Sequence, residues 1–321
     1  MIRIFKQNLL FNYLNIVTSM KKHLIILTCI LALTTGRSAK AAPEASSDTT
    51  LLTSDGVKLY LKISGHGSAC IFVHGGPGAW SKSFERLGGN ALEQNLTMYY
   101  YDQRGSGRSD AATNEDYSLA RMVEDIENIR AVTGVDKVYL LAHSFGGILA
   151  YNYALKYPQH IKGLILLNAT LSINHSLRNQ INFANQKLGT SFHAADSSAV
   201  VPTYLTAITA LRQKGIAYQM LSDNKQHVRL LDSIDTSLKR NYAFGQVALG
   251  MAEYFKDFTV NTDRLNVPVL VISGTKDHNI GPDHYKLFRF PDQRVQVIDG
   301  GHLLYYEMND AFLKVIREFL R

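Results

Sequence analysis

The chain has 321 residues, with 34 Lys and Arg against 27 Asp and Glu and a formal charge of +7. Six of those basic residues and none of the acidic ones fall within residues 1–41, so the remainder carries 28 against 27 and lacks the electrostatic footprint of a nucleic-acid binder. Cys29 and Cys70 are the only cysteines, too few for a disulfide framework, and residues 42–321 suffice for one well-buried domain with an insertion.

Met20-Lys21-Lys22-His23, the apolar run Leu24 to Leu33 and the small-x-small site Ala39-Lys40-Ala41 read as a secretory signal peptide over 1–41. Translation is expected to start at Met20, with 1–19 an upstream extension. The apolar run is too short for a good membrane span, and Leu27-Thr28 before Cys29 is a poor lipoprotein context. A secreted or periplasmic protein without a stable membrane anchor is expected. Cleavage leaves Cys70 alone, a buried core residue.

Residues 42–50 read as a linker. Leu51-Leu52-Thr53 and Val57 to Ile63 then flank Ser54-Asp55-Gly56 as a β-hairpin. Cys70-Ile71-Phe72-Val73 is a short apolar strand opening into His74-Gly75-Gly76-Pro77-Gly78, whose glycines and proline cannot hold a regular element. Such a loop lets bare N–H groups approach a ligand closely, as an oxyanion hole requires. Thr97 to Asp102 is the next strand, and Ser118 caps a helix that ends at Gly134.

Val138 to Leu141 suit an interior strand, and Ile148 to Tyr157 read as a helix stopped by Pro158. Ser144 stands between them on a sharp turn, with Ala142 and Gly146 supplying the small residues that closely approaching backbones need. The oxyanion donors are then the amides of Gly76 and of Phe145, at a helix N-terminus. Ile161 to Leu167 is the following strand. From 171 to 258 the alternation of strand and helix fails. This polar, helical stretch reads as a lid after the sixth strand, with Tyr204 a candidate substrate contact.

Pro268 to Gly274 and Val295 to Asp299 are two more strands, followed closely by Asp277 and by Gly300-Gly301-His302. Both polar residues reach the sheet's carboxyl edge, where α/β ligand sites form. Ser144, Asp277 and His302 thus suit nucleophile, orienting acid and general base, in the chain order expected of a strand–turn–helix nucleophile. No metal-ligand spacing or nucleotide-binding glycine loop occurs, so neither a metal nor another cofactor is expected.

The pair His74-Gly75-Gly76-Pro77-Gly78 and Asp102-Gln103-Arg104-Gly105-Ser106-Gly107-Arg108-Ser109 resembles the prolyl aminopeptidase (proline iminopeptidase) branch of the α/β-hydrolase superfamily, over roughly residues 50–321. The resemblance implies an α/β-hydrolase fold, a mostly parallel sheet flanked by helices, with core segments 51–170 and 259–321 around a lid at 171–258. It implies that Arg104, with His74 and Gly75, supports the oxyanion loop. It also implies release of N-terminal residues from short peptides. That branch grips the substrate amine with lid glutamates, but none occurs here between Asn128 and Ala252. Glu253 is the first, and with His143 and Tyr204 it is a substrate-binding candidate; Asp196, Asp223, Asp232 and Asp235 are further acidic candidates in the lid. A carboxylesterase or lactonase of the same fold is the alternative, and a non-catalytic small-ligand binder the alternative from another class. Subunit number is left open.

Overall fold

The computed structural model describes residues 47–321. The leader over 1–41, the start at Met20 and the first part of the 42–50 linker lie outside the described residues. Strand β1 (Ser47–Leu52) begins inside that linker and pairs antiparallel with β2 (Lys58–Gly65), from Ser47 opposite Ile63 to Leu52 opposite Lys58. The linker therefore ends by residue 46. Its polar residues 47–50 disguised the strand because β1 lies at the sheet edge and needs no apolar face.

After β3 (Ser68–Val73) come α1 (Ser81–Arg86) and β4 (Leu96–Tyr101). Helix α2 (Leu119–Thr133) leads to β5 (Val138–His143), α3 (Gly146–Lys156) and β6 (Ile161–Leu167). Helices α4 (Ile173–Leu188), α5 (Val200–Gln213), α6 (Lys225–Asp235) and α7 (Ala243–Val247) follow before β7 (Val269–Gly274). The chain closes with β8 (Gln293–Ile298), α8 (Leu304–Glu307) and α9 (Asn309–Phe319). The eight strands lie in the order β1-β2-β4-β3-β5-β6-β7-β8, antiparallel only where β2 meets β1 and β4.

The interior strands explain the layering. Residues of β5 and β7 are buried along their whole length, so both faces must be covered. With a side-chain period of two, Ile71, Val73, Leu140 and Leu166 face α2 and α3, where Met122, Ile126, Ile148 and Leu149 meet them. Phe72, Leu141, Leu167 and Ile272 face the other way, onto Leu304, Phe312 and Ile316. Ser118 Oγ caps α2 by accepting from the Arg121 amide at 3.3 Å, and Gly134 ends it in a left-handed conformation.

The insertion between β6 and β7 is helical and has a small core of its own. Ile181 and Ala184 of α4 pack there on Ala207, Ile208 and Leu211 of α5. Its residues Leu177, Gln180 and Tyr204 share a cavity with Gly76 and Ser144, just past the carboxyl ends of β3 and β5.

Candidate active site

Ser144 sits between β5 and α3 with φ of 56°, a left-handed conformation that a serine adopts only where surrounding structure imposes it. The imposition is steric. A Cβ on Gly146 would lie 2.2 Å from the Val73 carbonyl oxygen, so strand β3 and the start of α3 can touch only through a glycine. The Ser144 amide donates to the Leu167 carbonyl at 3.3 Å and its carbonyl accepts from Thr170, pinning the turn to β6 and its exit.

The glycine loop crosses directly above. A Cβ on Gly75 would lie 2.7 Å from Ser144 Cβ and 3.3 Å from its Oγ, which places the loop backbone against the hydroxyl. His74 and Gln103 hold it there. His74 Nδ1 donates to the Gly75 carbonyl at 2.8 Å, and its Nε2 accepts from the Gln103 amide at 2.9 Å. Gln103 Nε2 in turn donates to the His74 carbonyl at 2.7 Å. Burial holds the His74 pKa below its ordinary value, in keeping with a ring that is acceptor on one side and donor on the other.

Arg104 does something else. It is fully buried and forms paired hydrogen bonds with Asp125 of α2 and with Asp55 in the β1–β2 turn, at 2.7–3.1 Å. It ties hairpin to helix and makes no hydrogen bond to the glycine loop, where Gln103 instead reaches His74. The motif sends successive side chains in different directions, a feature that spacing alone does not reveal. Asp102 forms the third arm, accepting from Ser81 at the start of α1 and from Arg108. Burial pushes the Asp102 carboxyl up, but these donors outweigh it and hold the group below the ordinary carboxylate range.

Past β7, Asp277 Oδ1 accepts from the amides of Asn279 and Ile280, each at 3.0 Å, and Oδ2 accepts from His302 Nδ1 at 3.0 Å. The carboxylate thus fixes the imidazole tautomer, leaving the Nε2 lone pair free to accept. His302 is 4% exposed and tied down on several sides. Its amide donates to the Leu221 carbonyl of the insertion at 2.8 Å, and its carbonyl accepts from His143 Nε2 at 3.1 Å and from Asn168 Nδ2 at 3.2 Å. Burial, then the neighbouring His302, holds the His143 pKa well below its usual value, so that ring is a neutral strut.

The hydroxyl and the imidazole face one cavity without being bonded to each other. His302 Nε2 is met instead by Asn279 Nδ2 at 3.2 Å, and Ser144 Oγ makes no hydrogen bond among the described residues. Such bonds often close only when substrate binds. The amides of Gly76 and Phe145 are likewise without a hydrogen bond among the described residues.

Two cavities meet at Ser144, sharing Gly76 and Asn279 as well. The larger, about 340 Å³, lies under the insertion, with Leu177, Gln180, Tyr204 and Leu249 in its wall and no charged side chain lining it. The smaller, about 200 Å³, holds His143 and His302, with Trp80, Phe84, Tyr305 and one carboxylate, Asp235 of α6. Asp235 Oδ1 already accepts from Trp80 Nε1 at 2.8 Å and from Ser83 Oγ at 2.5 Å, and Arg240 stands 3.4 Å from Oδ2. Of the three substrate-binding candidates, Tyr204 lines the larger cavity and His143 the smaller, while Glu253 lies elsewhere. It lies on a short 3-10 turn at Ala252–Phe255, lines neither cavity, and is set there because its neighbour Tyr254 is the residue turned inward, donating to the Tyr117 carbonyl. Among the described residues no cluster of His, Cys, Asp or Glu could hold a metal ion, and no helix is long and apolar enough to cross a membrane.

A parallel sheet with a serine on a strained strand–helix turn, an acid–histidine pair and a glycine loop at one edge defines a class, and the family model for the alpha/beta hydrolase fold matches residues 69–308. The chain belongs to that family of hydrolases. It is 27% identical over 292 residues to the proline iminopeptidase of Saccharolobus solfataricus, covering 83% of this chain and 89% of that one. A proline iminopeptidase of Lactobacillus delbrueckii subsp. bulgaricus is 26% identical over 81% of this chain and 93% of its own. The fold superimposes on a proline iminopeptidase-related protein of Thermus thermophilus with a TM-score of 0.72 at 23% identity, covering 86% of this chain and 97% of that one. An esterase from Exiguobacterium antarcticum gives 0.65 at 19% identity, covering 85% and 99%.

Proposed function

We propose that the protein is a serine hydrolase that cleaves a small amide or ester through an acyl-enzyme, exported to the periplasm or medium. The observation that carries this reading is the Asp277–His302 pair, bonded at 3.0 Å, opening on the same cavity as Ser144. His302 Nε2 takes the hydroxyl proton as Ser144 attacks the acyl carbon. The oxyanion is received by the Gly76 and Phe145 amides, the latter at the N-terminus of α3. The proton then passes from Nε2 to the leaving group, and water repeats the sequence to release the acid.

Within that chemistry the relatives' name supports an aminopeptidase acting on N-terminal residues of short peptides, with Asp235 the carboxylate available to a substrate ammonium. A second reading, an esterase or lactonase, has its own observation. Asp235 is already engaged by Trp80, Ser83 and Arg240, and the larger cavity is uncharged, where an ammonium would be costly. A non-catalytic binder would have no use for the acid–histidine pair. Parallel assay of proline and alanine arylamides, with free and blocked amines, against short-chain aryl esters tests these readings. Turnover of none, with no fluorophosphonate label on Ser144, overturns the hydrolase reading; preference for the free amine selects the aminopeptidase.

A further inference from the structure

Asn279 stands between the two halves of the proposed machinery. It lines both cavities. Its side-chain Nδ2 lies 3.2 Å from His302 Nε2, its amide donates to Asp277 Oδ1 at 3.0 Å, and its carbonyl accepts from Gln180 Nε2 of the insertion at 2.8 Å. One residue therefore touches base, acid and lid.

The orientation of its amide follows from the tautomer. Nδ1 of His302 carries the proton, given to Asp277, so Nε2 is a lone pair and the Asn279 group facing it is the NH₂. That lone pair accepts one good hydrogen bond. The Ser144 hydroxyl needs the same lone pair and makes no hydrogen bond among the described residues. The two donors are in competition, and in this geometry Asn279 holds the site.

We propose that Asn279 is a positioning residue that caps the general base, and that the substrate's leaving-group atom removes the cap. This rests on the serine hydrolase reading. A leaving group must come within reach of Nε2 to receive its proton, which for an ester brings the lone pair of the leaving oxygen beside the Asn279 N–H. The N–H then swings from imidazole to substrate, Nε2 is released to Ser144, and the base becomes competent only with a substrate in place. Gln180 fixes the main chain about which the side chain swings, so the insertion and the base are joined through a single loop. The class of substrate this favours is an ester, whose leaving oxygen keeps a lone pair before attack, over an amide, whose nitrogen gains one only in the tetrahedral intermediate.

The test compares a probe that lacks such a leaving group with a substrate that has one. In full-length protein, a fluorophosphonate phosphonylates Ser144 with loss of fluoride from a P–F bond whose fluorine is a weak acceptor, whereas an aryl ester leaves through oxygen. Replacing Asn279 by alanine, and by the isosteric leucine, is expected to raise the second-order rate of Ser144 labelling roughly fivefold, the weight of one ordinary hydrogen bond. kcat/KM for the ester should not rise with it, because the contact to the leaving group is lost as the base is freed. A residue with a merely structural role would lower both rates together. Labelling that is unchanged or slower in either variant overturns the cap. Wild-type protein that takes no label at Ser144 overturns the hydrolase reading instead, so the two failures are told apart.

Discussion

The side-chain amide of Asn168 donates to the main-chain carbonyl of His302 at 3.2 Å, across 134 residues of chain. The same Nδ2 reaches the Gly301 carbonyl at 2.9 Å, while Oδ1 accepts from the Gly274 amide at 2.8 Å. Asn168 thus joins the exit of β6 to the strand that precedes Asp277 and to the loop that carries His302. It occupies a left-handed conformation, φ 41°, which asparagine tolerates better than most residues.

Asn168→Ala should therefore cost about 1–3 kcal/mol in urea unfolding, since three buried partners lose their bond. Turnover should fall as well, because the imidazole loop loses its anchor. Asn168→Asp should be worse still: it keeps the acceptor for Gly274 but sets a carboxylate oxygen against two carbonyls. An alanine variant with wild-type stability and rate would show that the His143 and Leu221 contacts suffice alone.

Much of this site was readable from the chain because chemistry and punctuation coincide. The runs before His74, Ser144 and Asp277 are apolar on both faces, as interior strands must be, and glycine or proline follows each. Where a residue's role depends on direction, the reading failed. The family resemblance points to Arg104 as the loop's brace, yet Gln103, with a donor at backbone and side chain, is the one that reaches His74. Asn168 and Asn279 carry no motif at all. A polar residue within two positions of a strand end or a candidate acid is the only signal that could have found them. Glu253 stands out by its isolation in sequence, but packing of the insertion aims its neighbour inward, and Asp235 is the lid carboxylate that lines a cavity with Ser144.

Removing the proposed nucleophile or the proposed base separates chemistry from folding. Ser144→Ala and His302→Ala are each expected to lower kcat on the order of 10⁴-fold or more, because the groups act as a unit. Thermal unfolding should change little for Ser144→Ala, whose Oγ makes no hydrogen bond among the described residues. Retention of wild-type rates in either variant would mean that other residues perform the reaction.

Gly75→Ala tests the glycine loop. The new Cβ would lie 2.7 Å from Ser144 Cβ and 3.2 Å from the His143 carbonyl oxygen, so loop and elbow must part. Parting withdraws the adjacent Gly76 amide, and loss of one such donor costs roughly 10²–10³ in kcat. KM should move far less than kcat if the amide acts on the transition state. An alanine variant with unchanged kcat would show that the loop does not supply an oxyanion donor.

Asp235→Asn separates the two substrate classes. Asparagine can keep Oδ1 accepting from Trp80 and Ser83 while the charge disappears. If an ammonium is held there, kcat/KM for a free-amine arylamide should fall more than about tenfold, as expected for a hydrogen bond to a charged group. Aryl-ester hydrolysis should stay within about a factor of two. Equal losses on both substrates would make Asp235 a structural tie between α6 and α1.

Acid sensitivity follows from three buried histidines. Burial holds His74 and His143 below the ordinary imidazole value and brings His284 down to about 3. Their unfolded pKa is about 6.5, so as pH falls below that value the unfolded chain binds protons that the folded one refuses. The sign is therefore destabilising on acidification. Each group costs about 1.4 kcal/mol per pH unit until its folded pKa is reached, and for His284 that window runs from about 6.5 down to 3. Asp102 adds to the loss only lower, below its unfolded value of about 3.9, since its folded pKa is depressed. The stability of His284→Gln, whose side-chain oxygen can still accept from the Leu171 amide, should depend on pH with a slope one proton shallower between pH 6 and 4. Urea unfolding across that range measures it, and parallel slopes for variant and wild type would show that His284 titrates alike folded and unfolded.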